Sequence, residues 1–507
     1  MSQWQNGTEM PRWLDKRAGL TPERTAVICG EEKRTFRRLA EEVRKTARRL
    51  SGLGVGRGDR VAFLMPNGLH TVTLIHAISW LGAVLVPLNT RLAPREIAWQ
   101  LEDSGAKVMI VNEAHRSLGE AARKACVEGA PKALSWDELG DQPEQETEGC
   151  SRISLDDLHT LMYTSGTTGR PKGVMLTWGN HWWSATASAL NLGLDPADKW
   201  LAAVPLFHMS GLSILMRSLI CGMTAVVHPA FDPARANRAI AEDGVTIASV
   251  VGTMLTRMLD ELGEEHYPES FRCMLLGGGP APRPLLERCK RKGVPVFQTY
   301  GMTETASQIV TLSPEDSLRK LGSAGKPLFP SELKIVGDNR ELAPGEAGEI
   351  VVRGPNVTRG YWKREDATRD AIRDGWLYTG DLGYVDEEGF LYVLDRRHDL
   401  IISGGENVYP AEVEAVLISH PAVEEAGVTG FSDKDWGQVP VAFVKPKEGQ
   451  SVAENELLRH CRERLARYKV PVRIHEVEEL PKNASNKLLR RRLPELIPGG
   501  GQGETGP

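Results

Sequence analysis

The stretch Tyr163-Thr-Ser-Gly-Thr-Thr-Gly-Arg-Pro-Lys172-Gly173 follows an apolar run, Leu158 to Tyr163, that reads as a strand. It gathers hydroxyls, glycines, one proline and one lysine into a single turn. Glycines let backbone N–H groups approach an anion closely, and Ser and Thr hydroxyls add neutral donors. Lys172 adds a mobile positive charge. Thr164, Ser165, Gly166, Thr167, Thr168, Gly169 and Lys172 therefore read as a loop that holds a polyphosphate. No Gly-Lys-Ser/Thr closes the turn after a four-residue gap, so it is not the Walker pattern.

On the N-terminal side, strand and helix patterns alternate. Phe36, Leu39, Val43, Ala47 and Leu50 recur at helical spacing, which predicts a helix over Thr35 to Ser51 with Thr35 near its cap. Arg60 to Met65 reads as a strand, Leu69 to Leu81 as a helix, Ala83 to Pro87 as a strand, Arg95 to Ser104 as a helix and Lys107 to Val111 as a strand. This is the pattern of parallel βαβ units. The acidic, Gln- and Pro-containing run Asp141 to Gly149 is the best candidate for a loop between subdomains.

Beyond the loop the alternation resumes. Thr246 to Val251, Cys273 to Leu276 and Val294 to Gln298 read as strands, and Met254 to Leu262 as a helix. From about Ala343 short strands and Gly-rich turns suggest a small β-rich subdomain. After Asp399 a new unit begins, with helices at Ala411 to Ser419 and Glu454 to Ala466 and strands at Ala422 to Val428 and Val439 to Val444. Its size suits a mobile lid. The expected fold class is α/β plus α+β, with a large N-terminal domain over 1–395, a hinge at 396–399, a C-terminal lid over 400–497 and a disordered tail over 498–507.

Composition narrows the function. A chain of 507 residues exceeds one ordinary core. Apolar content of 41%, charged content of 25% and net charge of −5 give no electrostatic case for nucleic acid or an anionic membrane. The 7 cysteines are scattered, odd in number and without Cys-x-x-Cys, which argues for a reducing compartment and against a disulfide framework or zinc site. No run reaches the roughly 18 uninterrupted apolar residues of a membrane span, and no early apolar run suggests a signal peptide. A cytoplasmic protein without membrane insertion is expected, as a monomer or homo-oligomer.

The Tyr163 loop resembles the signature of the adenylate-forming superfamily: acyl-CoA synthetases, peptide-synthetase adenylation domains and firefly-type luciferases. Four further segments resemble its motifs in the same order: Tyr300-Gly-Met-Thr-Glu304, Tyr378-Thr-Gly-Asp381, Asp395-Arg396 through Gly404 to Pro410, and Pro481-Lys-Asn-Ala-Ser-Asn486-Lys487. The resemblance implies roles. The loop holds the β- and γ-phosphates of ATP, Glu304 is the Mg²⁺ ligand, Thr303 bonds the α-phosphate and Tyr300, followed by Gly301, stacks on adenine. The turn Gly277, Gly278, Gly279, Pro280 lets backbone approach base and acyl group, and Asp381 takes the ribose hydroxyls with Arg396 assisting. Lys487 is the adenylation lysine, Ser403, Gly404 and Gly405 line a coenzyme A tunnel, and Arg396, Arg397, His398 and Asp399 form the hinge. Two positions depart from the family: Asn486 stands where Gly is usual, and His398 where Asp or Lys is frequent.

His208, in Pro205-Leu-Phe-His-Met-Ser-Gly211, occupies the family's gate to the acyl pocket, with Ser210 and Gly252 beside it. The segments Thr303 to Glu315, Lys320 to Pro327 and Ser485 to Arg490 resemble one subfamily, the 2-succinylbenzoate–CoA ligases of menaquinone synthesis. Ser307, Gln308 and Ser313 are polar for an acyl pocket and suit a second carboxylate. The implied substrates are ATP, coenzyme A and 2-succinylbenzoate, with Mg²⁺. A ligase for another aromatic or medium-chain acid is the alternative. A luciferase-like oxidase and a peptide-synthetase module acting in trans share the adenylation motifs, whereas a purely nucleotide-binding module sits poorly with Lys487 and Glu304 together.

Overall fold

The structure is a computed structural model that describes residues 8–164, 171–279, 281–337, 340–395, 400–451, 453–482 and 488–497. The polyphosphate motif joins Leu158–Thr164 to Lys172–Thr177, two antiparallel strands with Thr164 opposite Lys172. It is thus a hairpin connection rather than the strand-to-helix turn of a Walker loop. Behind it, Val84–Pro87, Arg60–Leu64, Val108–Val111 and Lys132–Ser135 complete a six-stranded sheet in parallel register. The central strands are apolar from Val61 to Leu64, Val84 to Pro87 and Val108 to Val111 because both faces are covered, as parallel sheets require.

The helix predicted from spacing runs over Phe36–Gly52. The Thr35 side chain accepts a hydrogen bond from the Arg38 N–H at 3.2 Å, and Phe36, Leu39, Val43, Ala47 and Leu50 are buried. It packs on the helix Leu69–Trp80. The segment 141–149 does not divide subdomains. It returns over the Phe36–Gly52 helix, with the Gln145 N–H on the Arg48 carbonyl at 3.1 Å, and the chain re-enters the same sheet at Leu158–Thr164. Polar composition marked a loop there but carried no information about where the next strand would pair.

A second sheet of fifteen strands holds the other half of the large domain. Its parallel part is Thr25–Cys29, Thr224–Val227, Lys199–Ala202, Ile247–Val251, Cys273–Gly277 and Val296–Met302. The β-rich region expected from Ala343 is continuous with it. Ser323–Pro327 pairs with Ser307–Leu312 on one side and Leu391–Asp395 on the other, so the antiparallel extension starts at Ser307. From Ile401 onward a five-stranded sheet and the helices Pro410–Ile418 and Glu454–Arg462 enclose a core of their own.

Three histidines lie in the core between the two sheets. Ser79 Oγ is 2.9 Å from His159 Nε2, His159 Nδ1 is 2.8 Å from Thr160 Oγ1, and Thr160 Oγ1 is 3.2 Å from His181 Nε2. Burial pushes His76 down to about 4, His181 down to about 3, and His159 well below the ordinary value, where His181 and His76 also act on it. All three are neutral in the folded state and protonate on unfolding, from a free value near 6.5. Their contribution is complete above about pH 6.5 and is lost as pH falls toward the folded values. Urea unfolding is therefore expected to show falling stability between about pH 6 and pH 4. His76→Leu should flatten that slope by one proton, about 1.4 kcal/mol per pH unit. An unchanged slope in this variant contradicts the assignment.

Candidate active site

Three parallel strands end at one cleft, as ligand sites in open α/β sheets do. Val250, Val251, Leu275, Gly277, Gly278, Thr299 and Gly301 line a cavity of about 280 Å³ from these strand ends. Met162, Tyr163 and Thr164 close it from the smaller sheet, and Gly405, Glu406 and Asn407 reach it from the C-terminal part. The backbone is strained here. Ala306 and Ser307 have φ of 52° and 101°, conformations that cost non-glycine residues free energy and cluster at functional sites. Gly301 answers a packing demand: a Cβ there would lie 2.1 Å from the Ser307 carbonyl oxygen.

The floor of the cleft carries a charge that sequence reading missed. Arg217 lies on the helix Met209–Cys221 and is 2% exposed. One guanidinium nitrogen donates to Ser307 Oγ at 3.3 Å, the Trp200 ring lies 4.9 Å from its Cζ, and Nε has no partner. Among the described residues no carboxylate pairs with it. Burial lowers it to about 10, still protonated at neutral pH. Gln308 beside it is 2% exposed with neither its amide nitrogen nor its oxygen satisfied. A buried cation and a buried amide without partners are costly unless a ligand completes them. The arrangement therefore suits an anionic, hydrogen-bonding group deep in an otherwise apolar pocket. The signal in the sequence was one Arg inside the run Leu212-Ser-Ile-Leu-Met-Arg217-Ser-Leu-Ile220, a residue type almost never buried unpaired.

His208 is the N-cap of the same helix and stands at the cleft mouth, with Ser210 also lining it. Its Nε2 is 3.0 Å from Glu406 Oε2. Glu406, 4% exposed, also accepts from Asn89 Nδ2 at 3.1 Å and from Arg91 at 2.9 Å. Burial alone would raise this carboxyl, but His208, Arg91 and Asn89 outweigh it and hold it below the ordinary value. Ser403, Gly404 and Gly405 belong to the hairpin Ile401–Ser403 and Glu406–Val408, whose two turn glycines have φ of 57° and 83°. Positive φ at both central residues is the type I′ demand that glycine meets. At Gly404 a Cβ would also lie 2.5 Å from the Trp436 ring.

On the nucleotide side, Tyr300 OH donates to Asp381 Oδ2 at 2.7 Å. Sequence reading placed the Tyr300 ring on adenine. The ring is 2% exposed and packs within the cluster of Ile309, Ile350 and Leu377, with its hydroxyl on Asp381. Thr303 lines the cleft, and Glu304 Oε1 accepts from Tyr361 OH at 2.9 Å. No group of three metal-binding side chains occurs among the described residues. A lone carboxylate beside the phosphate hairpin fits a Mg²⁺ that arrives with nucleotide oxygens supplying most of its shell. The Lys172 ammonium lies 5.2 Å from the Tyr361 ring centroid. Gly279, Gly252 and Ser313 do not line the cleft: Gly252 opens the helix Gly252–Leu262, and Ser313 follows the end of the strand Ser307–Leu312. Ser165, Gly166, Thr167, Thr168, Gly169, Pro280, Arg396, Arg397, His398, Asp399 and Lys487 lie outside the described residues.

A hairpin of phosphate-binding composition, the hydrogen-bonded pair Tyr300 and Asp381 and an acyl-sized cleft define an adenylate-forming site. The chain belongs to the AMP-binding enzyme family, matching it over residues 14–362 and matching the AMP-binding enzyme C-terminal domain over residues 412–487. It is 60% identical over 491 residues to 2-succinylbenzoate–CoA ligase of Geobacillus sp. strain WCH70, covering 97% of this chain and 98% of that protein. Among solved structures, a double mutant of o-succinylbenzoate CoA synthetase from Bacillus subtilis, bound with its product analogue OSB-NCoA, is 51% identical and superposes with a TM-score of 0.91, covering 96% of this chain and 98% of that one. The same synthetase in complex with ATP and magnesium ion, again 51% identical over 96% and 100% of the chains, superposes with a TM-score of 0.75.

Proposed function

We propose that this chain is an AMP-forming acid–CoA ligase that converts 2-succinylbenzoate, through an acyl-adenylate, into its CoA thioester, releasing pyrophosphate and AMP. The observation that carries the choice of acid is Arg217, a protonated guanidinium under an apolar cleft with no carboxylate paired to it among the described residues. Identity of 60% along nearly the whole chain to a 2-succinylbenzoate–CoA ligase supports the same choice. A carboxylate does not acylate a thiol directly because oxide is a poor leaving group. Attack on the α-phosphate of ATP gives a mixed anhydride from which the thiol displaces AMP. Both steps need charge neutralised and reactants aligned.

The roles assigned to side chains follow. Arg217, Ser307 and Gln308 hold the carboxylate that does not react, while the other points toward Thr303 and the phosphate hairpin. Asp381, fixed by Tyr300, takes the ribose hydroxyls. Glu304 and the nucleotide phosphates hold Mg²⁺, which neutralises phosphate charge when bound. Lys487 neutralises charge at the reacting centre during adenylation. The domain arrangement belongs to the second step. At equal identity the product-analogue complex superposes far better than the ATP complex, and the Gly404–Gly405 hairpin stands at the cleft over His208. The large domain ends near residue 395 and the lid begins near 400, where the separate C-terminal core starts.

Pyrophosphate release over a panel of acids, with and without CoA, tests the reading. Activity with 2-succinylbenzoate should exceed that with benzoate or octanoate by orders of magnitude in kcat/KM, because those acids leave buried polar groups unpaired. Comparable values contradict it. Arg217→Met should lower kcat/KM for 2-succinylbenzoate about 10²-fold while leaving the KM for ATP within a few-fold. An equal effect on ATP shows that Arg217 does not serve the acid.

Lys487→Ala should lose adenylation by about 10²- to 10³-fold yet keep thioester formation from supplied acyl-adenylate. Parallel losses in the two half-reactions count against its assignment to one step. Glu304→Gln should impair Mg²⁺-dependent use of ATP more than use of CoA; full activity of that variant in EDTA excludes a metal role.

A further inference from the structure

A second buried charge cluster lies apart from the adenylation chemistry, at the seam between the C-terminal part and the large domain. Lys469 Nζ donates to Glu96 Oε1 at 2.5 Å and to Glu412 Oε1 at 2.8 Å. Side-chain exposure is 4% for Lys469, 8% for Glu96 and 7% for Glu412. Lys469 and Glu412 both belong to the C-terminal part, on the turn Arg467–Lys469 and the first turn of the helix Pro410–Ile418. Glu96 belongs to the large domain, in the first turn of the helix Pro94–Ser104. Burial alone would push the Lys469 ammonium down, and the two carboxylates outweigh it and hold it above its ordinary value.

We infer that Glu96 is the large domain's electrostatic latch for Lys469, a positioning residue that holds the C-terminal part in the arrangement used for thioester formation and not in that used for adenylation. This deepens the reading above and rests on it for the two half-reactions. The asymmetry of the cluster carries the argument. The Lys469–Glu412 pair lies within one moving part and travels intact. Within the cluster, only the Lys469–Glu96 contact spans the seam, so it is the one the cluster makes and breaks when the parts rotate. Separation returns Glu96 and Lys469 to water, so the buried contact serves as a switchable one rather than as a source of global stability.

Glu96 is also a rigid docking point. Its other oxygen accepts from the Ala93 N–H at 2.7 Å, which ties it to the start of its helix. The far end of that helix is held at Asp103, whose carboxylate accepts from Tyr163 OH at 2.8 Å and from Arg364 at 2.6 Å, and whose carbonyl accepts from Lys363 at 2.8 Å. Midway, Trp99 Nε1 donates to the Pro171 carbonyl at 3.4 Å. The helix that presents the latch is thus braced against the strand Leu158–Thr164 and against Pro171, just ahead of the strand Lys172–Thr177, and an approaching Lys469 meets a carboxylate that cannot retreat.

The test is Glu96→Gln, which keeps the oxygen that caps the helix and removes the charge, with Glu96→Asp as the charge-retaining control. Adenylation, read as first-turnover pyrophosphate release, should stay within about twofold of wild type. CoA transfer from supplied acyl-adenylate should fall about tenfold or more in Glu96→Gln and less in Glu96→Asp. A second readout does not depend on the acid: the distance between spin labels on unnatural residues at the exposed positions Glu128 and Glu448. In Glu96→Gln the population at the wild-type, CoA-bound distance should shrink. Equal losses in both half-reactions, no loss in either, or an unchanged distance distribution overturns the latch. If wild type fails to use 2-succinylbenzoate, the functional reading fails, while the distance measurement still decides the latch.

Discussion

A protonated guanidinium buried with no carboxylate opposite it among the described residues is the constraint around which the cleft is built. Water is excluded from Arg217 by the helix Met209–Cys221 and by Trp200, and Ser307 offers it a single neutral oxygen. Such a group is tolerated only where function requires it, because desolvation of a charge costs several kcal/mol unless a partner restores it. The neighbouring features follow from that requirement. The same helix carries His208 at its start, at the mouth of the cleft, and Arg217 two turns further in. The strained backbone at Ala306 and Ser307 brings Ser307 Oγ and the unsatisfied Gln308 amide to the same depth. An acid with two carboxylates, held there at one end, would leave its other end at the strand termini, where the nucleotide side begins.

The second constraint is that two reactions share this position. The wall that faces the acid over His208 is not part of the large domain. It is the Gly404–Gly405 hairpin with Glu406, drawn down by His208, Asn89 and Arg91. Among the described residues, Glu406 and Lys469 make charged contacts across the seam with their charges largely out of water. Buried polar contacts of this kind can separate and re-form, since hydration of the released charges offsets much of what the contacts contribute.

Much of the fold was legible from local pattern. The Phe36–Gly52 helix, its Thr35 cap and the apolar strands Arg60–Leu64 and Val108–Val111 follow from periodicity, and their ends shift by only a residue or two where caps replace pattern. What was not legible is pairing at long range. Nothing in Ser323–Pro327 or Leu391–Asp395 announces that they join the β-rich region to the parallel sheet, and nothing in 141–149 says that the chain returns to the sheet it has just left. In the site, segments that are chemically dense along the chain, such as Tyr163 to Gly173, could be singled out from pattern alone. Contacts between distant residues could not. Lys469 and Glu96 are 373 positions apart, and Arg217 reads as one charge on a helix until its burial is known. Tyr300 shows the converse: its motif was visible, but the bond from its hydroxyl to Asp381, 81 positions away, was not.

The central claim, that Arg217 answers the carboxylate that does not react, is tested most directly by a cycle that crosses protein and substrate. The kcat/KM for acid-dependent pyrophosphate release is measured for wild type and Arg217→Met, each with 2-succinylbenzoate and with 4-oxo-4-phenylbutanoate, which lacks the ring carboxylate. If the two groups meet, removing the ring carboxylate is costly in wild type and nearly free in Arg217→Met, so the two losses overlap. If they do not meet, the ring carboxylate matters by the same factor in both proteins, the losses multiply, and the buried guanidinium has some other purpose.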